Sequence, residues 1–148
     1  MSKVAENAVI AKLLATADVI ALVGRRIYPR MAPQGKDGGQ TPYIVVLRPE
    51  GQVNGQCSSG LYGVSHTPIF VACVGETYDE SRSLSPVVVR ALSPRGWTGS
   101  QVWGGVEVAS CQLDDTFDRS SFPQLADEIG APVEFVAFDL EHSTEDQA

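Results

Sequence analysis

The chain has 148 residues and a mass of 15.8 kDa, with 43% hydrophobic and 20% charged residues, which fits one globular domain and excludes two full ones. Eighteen Asp and Glu against eleven Lys and Arg leave a net charge of -7, so the summed field repels phosphates and disfavours generic nucleic-acid binding. The three cysteines, Cys57, Cys73 and Cys111, form no CxxC pair of the redox or zinc type, and no apolar run approaches the ~18 residues of a membrane span.

The N-terminus shows no basic, apolar and small-residue succession of a signal peptide, so synthesis in the cytoplasm is expected. From Val4 to Ala15, apolar residues recur at helical spacing (Val4, Ala8, Ala11, Ala15, widened by Ile10, Leu13 and Leu14). Lys3, Glu6, Asn7 and Lys12 lie opposite, which predicts an amphipathic helix with Glu6 on its polar face. Asp18 is placed to cap a second short helix, Val19 to Val23, ended by Gly24. The segment from Met31 to Thr41 holds three glycines and a proline and little to bury. It reads as an exposed loop, and as either a contact element or a solvated connection.

Tyr43 to Leu47 is β-branched and aromatic and nearly all apolar, which predicts a strand covered on both faces. A second strand follows at Leu61 to Val74, where Pro68 points to an edge or a bulge. Thr77 and Glu80 make a capping box, and Leu84, Val87, Val88, Ala91 and Leu92 continue as a helix. Pro86 predicts a kink within it, the alternative being a restart with Ser85 as cap and Pro86 in the first turn. A third strand is read from Val102 to Leu113, with Val102, Val106 and Val108 on one face, Trp103, Glu107, Ala109 and Cys111 on the other, and a bulge or close approach at Gly104-Gly105. The acidic connector Asp114 to Asp118, a short helical turn near Ser121 to Gln124 and a last strand from Pro132 to Leu140 complete the domain.

The expected fold is therefore α+β, a mostly antiparallel four-stranded sheet with the long helices packed on one face. Residues 1–140 form its single domain and residues 141–148 an acidic disordered tail.

The residues offer no enzymatic constellation. Gly35, Gly38 and Gly39 around Lys36 lack the spacing of a phosphate-binding loop, and His66 and His142 share no spacing with a nucleophile. Asp114, Asp115, Asp118 and Glu141 lack the glycine and alternating ligands of a calcium loop and read as solvated carboxylates. No catalysis, cofactor or metal is expected. The positive cluster Arg25, Arg26, Arg30 and Lys36 reads as a subunit or partner interface or as a solvated face, and Trp97 and Trp103 as core anchors or interface hot spots.

Ala21-Leu22-Val23-Gly24, Arg26-Ile27-Tyr28-Pro29, Ala32-Pro33-Gln34-Gly35, Pro42-Tyr43-Ile44-Val45 and Phe70-Val71-Ala72-Cys73 before Thr77-Tyr78-Asp79-Glu80 form a pattern. It resembles the tail completion or tail terminator family of long-tailed bacteriophages, prophages and gene transfer agents. The resemblance covers about residues 5 to 95, and Pro86 and the stretch from Ser120 to Ala131 depart from it. It implies a structural virion protein, made in the bacterial host cytoplasm, that forms a hexameric ring, terminates the tail tube and joins the tail to the head neck. Implied partners are further copies of itself, the tail tube protein and a head-completion or neck protein, with no membrane and with DNA only passing through the lumen. Expected interface residues are Arg25, Arg26, Arg30, Gln34, Gly35, Lys36, Asp37, Gly38, Gly39 and Gln40. Another neck component, such as a head-closure or minor tail protein, is the alternative within this class. A small-molecule-binding or hydrolytic α+β domain is the alternative outside it.

Overall fold

A computed structural model describes residues 4–29, 41–47, 64–97, 99–118, 129 and 131–143. Helices α1 (Val4–Leu14) and α2 (Ala17–Val23) open the chain and lead into the short strand β1 (Ile27–Pro29). Strands β2 (Tyr43–Leu47) and β3 (Val64–Val74) precede helix α3 (Tyr78–Leu92). Strands β4 (Gln101–Trp103), β5 (Val106–Asp118) and β6 (Val133–Ser143) end the fold.

The α+β class stands, but the expected four-stranded sheet with long helices does not. Among the described residues there are six strands in the order β1-β2-β3-β6-β5-β4 and three short helices of 11, 7 and 15 residues. The sheet is mixed, because β1 pairs parallel to β2 while every other pairing is antiparallel. It curls into a half-barrel, and two register shifts in β5 contribute, since a bulge adds local twist.

Two strands escape a reading of the sequence for distinct reasons. Strand β1 is three residues long, too short for any alternation to show, and is held by its register with Ile44, Val45 and Val46. Strand β4 is separate from β5, not its beginning, because Gly104 and Gly105, with φ of 59° and 87°, form a two-residue hairpin turn that pairs Trp103 with Val106. That turn resets the alternation. Trp103, Val106, Val108 and Cys111 share one buried cluster, while Val102 is 70% exposed, so the expected two-face assignment is corrected. Asp114 to Asp118 is likewise strand rather than connector, with Asp115 to Asp118 in register with Ala137 to Glu134.

The helices pack on one face over Ile44, Val46, Ile69, Val71, Cys73, Val136, Phe138 and Leu140. On the other face Tyr43, Val45, Ala72, Val74, Val133 and Phe135 form a second cluster, against which Ile129 and Ala131 pack. Strand β2 is thus apolar throughout because both of its faces are covered. Strand β3 is interior. Pro68 lies where β3 runs past Leu47, so on that side its missing amide donor costs no pairing to β2.

Helix α3 begins as predicted. Thr77 Oγ1 accepts from Glu80 N at 3.1 Å, and Glu80 Oε1 reaches Glu76 N at 2.6 Å, one residue before the cap. It neither stops nor restarts at Pro86. The single hydroxyl proton of Ser85 goes to Glu134 Oε1 at 2.6 Å, which ties the helix to β6, while the Arg82 carbonyl that Pro86 cannot serve stands 3.4 Å from the same oxygen. Helix α2 starts at Ala17 with Thr16 as its cap residue, not Asp18, and the Thr16 hydroxyl donates back to Lys12 O at 2.8 Å. Strand β6 reaches Ser143, so Glu141, His142 and Ser143 belong to the sheet rather than to a tail, and residues 144–148 lie outside the described residues. The short helical turn expected near Ser121 to Gln124 lies outside them too.

Candidate interface surfaces

The α2–β1 corner forms where Gly24, at φ 62°, closes α2 by donating to Ile20 O at 2.8 Å, in a conformation that costs glycine little. Arg26 N then bonds Val23 O, and its side-chain Nε donates to Pro42 O at 2.9 Å. Ile44 N bonds Arg26 O at 3.0 Å, so Arg26 clamps the start of β2 to the start of β1 from both its backbone and its guanidinium. Arg25, its neighbour, is exposed, as is Leu22 at 43% on the last turn of α2. The expected cluster is therefore divided: Arg25 faces solvent and Arg26 works inside the fold. Arg30, Gln34, Gly35, Lys36, Asp37, Gly38, Gly39 and Gln40 lie outside the described residues.

The opposite flank of the sheet carries the other sign of charge. Residues 99–118 and 131–143, which hold β4, β5 and β6, contain no Lys or Arg, yet include Glu107, Asp114, Asp115, Asp118, Glu134, Asp139 and Glu141. On the face away from the helices, His66 stands between two of these carboxylates, its Nδ1 3.9 Å from Asp139 Oδ2 and its Nε2 3.8 Å from Glu141 Oε2. Ser110 Oγ donates to Glu141 Oε1 at 3.3 Å. Beside them an open hollow of about 300 Å³ is lined by His66, Pro68, Gln112, Leu113, Asp114 and Asp139. Leu113 is 44% exposed at its rim.

This group is not among the expected site residues. Strand alternation is the signal that could have found it, because Asp139 and Glu141 stand two apart and so share a face. Ending the strand at Leu140 hides the pair.

The arrangement does not make a nucleophile. The Ser110 hydroxyl bonds the carboxylate and not the imidazole, whereas an acyl-transfer triad needs hydroxyl on imidazole and imidazole on carboxylate. Among the described residues no group of three or more His, Cys, Asp or Glu is placed to hold a metal ion, and no helix is long and apolar enough to cross a membrane. His142, expected in the tail, is 4% exposed, with Nε2 2.8 Å from Thr67 Oγ1.

The tryptophans are core anchors. Trp103 is buried, with Nε1 donating to Gln101 Oε1 at 2.9 Å, and Trp97 meets it edge to face at 5.8 Å between ring centroids. Cys73 and Cys111 are free and buried; Cys57 lies outside the described residues.

A family profile described as "Tail completion protein gp17" matches residues 7–127, well over half of the chain. The chain belongs to this family. The match runs from α1 through the whole of β5, so it includes the α2–β1 corner and the acidic residues Glu107 and Asp114. A tail completion protein is a structural component of the phage tail, and the resemblance read from residues 5 to 95 is thereby established over a longer span. No curated protein shows significant similarity to the chain.

Proposed function

We propose that this tail completion protein closes the head-proximal end of the tail tube as a hexameric ring and joins the tail to the neck of the head. Its partners on this reading are further copies of itself, the tail tube protein and a head-completion or neck protein, with DNA passing through the lumen unheld. The protein is made in the host cytoplasm and ends in the virion. Arg25, Arg30 and the stretch from Gln34 to Gln40 serve as contacts.

The observation that carries this reading is the family match over residues 7–127, which takes in most of α1, all of α2 and α3, and the edge strands β1 and β4. The two flanks suit a ring. Identical subunits close a ring through head-to-tail contacts, which need two different surfaces on each copy. Here the flanking strands β1 and β4 are three residues each, too short to template open-ended sheet growth, and their surroundings differ in charge.

The test uses tail tubes grown from purified tube protein, with the full chain added. One ring of six 15.8 kDa subunits, about 95 kDa in all, is expected at each tube end, with elongation stopped. Tubes that elongate unchanged, or a stable dimer both alone and on tubes, overturn the reading.

A further inference from the structure

The sheet is charged unequally from one flank to the other. At the β1 flank the α2–β1 corner presents Arg25 to solvent just past the end of α2, whose last turn carries the exposed Leu22. At the β5 flank the hollow presents Asp114 and Asp139, both exposed, next to the apolar surfaces of Leu113 and Pro68. Each flank thus pairs an exposed leucine with charge, and the charges are opposite. The strand order places β1 at one edge of the sheet, whereas the hollow lies across β3, β6 and β5, with β2 between it and β1.

We infer that the hollow on β5 and β6 is the seat for the α2–β1 corner of a second copy, with Arg25 against Asp114 and Asp139 and Leu22 against Leu113. The contact rests on the ring reading above and supplies its subunit interface. Complementary charge favours a second copy as occupant, because every subunit carries both halves. Residues 99–118 and 131–143 hold no Lys or Arg, and within the hollow it is His66 on β3 that faces Asp139, at 3.9 Å. Heterologous pairing of this kind repeats from copy to copy and makes a ring when the rotation per copy divides the circle. The corner is also stiff, since Gly24 ends the helix and Arg26 is fixed to Pro42 O, so little ordering remains to oppose docking.

The experiment compares the full-length protein with Arg25→Glu, with Asp139→Lys, with Asp114→Lys as a second acidic variant, and with a chain carrying Arg25→Glu and Asp139→Lys together. Self-association is followed by sedimentation at low and high salt, and tube-end occupancy by electron microscopy, after circular dichroism has shown each variant folded. Each single reversal is expected to weaken self-association about tenfold or more at about 50 mM salt, with the difference shrinking at high salt. In the double variant the two reversed charges again face each other with opposite signs across the contact between copies. It is expected to recover to within about threefold of the parent.

Single variants that assemble like the parent, or a double variant no better than the singles, overturn the contact. If those variants still cap tubes, the ring reading stands without it. If the parent never occupies tube ends yet its self-association follows the charge swap, the contact stands and the tail-end reading falls. Loss of tube binding by the acidic variants alone, with no rescue, assigns the hollow to the tube protein and overturns the contact.

Discussion

Glu6 stands on the buried side of α1 at 2% exposure, and its Oε1 has no hydrogen-bond partner among the described residues. A carboxylate in the first turn gains about 0.3–1 kcal/mol from the helix dipole, while a buried unsatisfied polar atom costs about 1–3 kcal/mol. The second effect is larger, so Glu6→Leu should raise stability by about 1 kcal/mol in denaturant titration. A loss of stability would mean that the carboxylate is held by a group that leucine cannot replace. The buried thiols give a pH dependence. Burial, with Glu134 adding to it, pushes Cys73 far above the ordinary thiol range, and burial with help from Asp139 pushes Cys111 up to about 12. Unfolding lets both ionise near 9.0. Between those values the folded chain binds more protons, so stability is fully present below pH 9 and is lost toward pH 12, at up to about 1.4 kcal/mol per pH unit per thiol. Thermal melts from pH 8 to 11 check this, and Cys111→Ala should flatten the slope. At pH 8 neither thiol should react with iodoacetamide until the protein is unfolded, as mass spectrometry of the labelled peptides would show.

The β4–β5 hairpin depends on Gly104, whose φ of 59° is costly for any residue with a side chain and whose added Cβ would stand 2.7 Å from Ala11 Cβ on α1. Gly104→Ala should therefore cost about 1–3 kcal/mol, part backbone strain and part contact. Ala11→Gly removes the contact partner, so the double variant should lose less than the two singles added together, a difference that a double-mutant cycle measures. At α3, Thr77→Ala removes the oxygen that accepts from Glu80 N and should cost about 1 kcal/mol by the same melts. These elements also show what is legible in the sequence. Thr77 and Glu80, Gly24, the apolar run of β2 and the alternation of β6 each act through neighbours in the chain, and the local pattern reveals each of them. Glu6, β1 and the hollow beside Asp139 depend on partners far away in sequence, and no local pattern announces them. Gly104-Gly105 is different, because two adjacent glycines are a local hairpin signal, and reading them as a bulge merges two strands into one. Of the candidate site, Arg25 is legible by its charge, whereas the division of labour between Arg25 and Arg26 emerges only once Pro42 O is seen beside the guanidinium.

At the scale of the whole molecule, two apolar clusters on opposite faces of one sheet hold the domain together, and the proposed ring assigns its flanks to contacts. The connection between β1 and β2 bears on both roles. Its two ends are fixed independently of its length, by the register of β1 on β2 and by the Arg26 bonds to Pro42 O and Ile44 N. On the composition-based expectation that Met31 to Thr41 buries little, its length enters folding mainly through closure entropy, which grows only as the logarithm of that length. Shortening Gln34 to Gln40 to a minimal turn should therefore change stability by no more than ~1 kcal/mol. Assembly depends on other terms. If this stretch reaches a neighbouring copy or the tube, as proposed, the shortened protein should melt at nearly the parent temperature yet leave overlong tubes, or heads and tails unjoined, in complementation of a phage lacking the gene. Thermal melts and micrographs of the lysate read the two effects separately. Normal yields of infectious particles would make the stretch a spectator, and failure to fold would make it scaffold, so either result removes it from the interface.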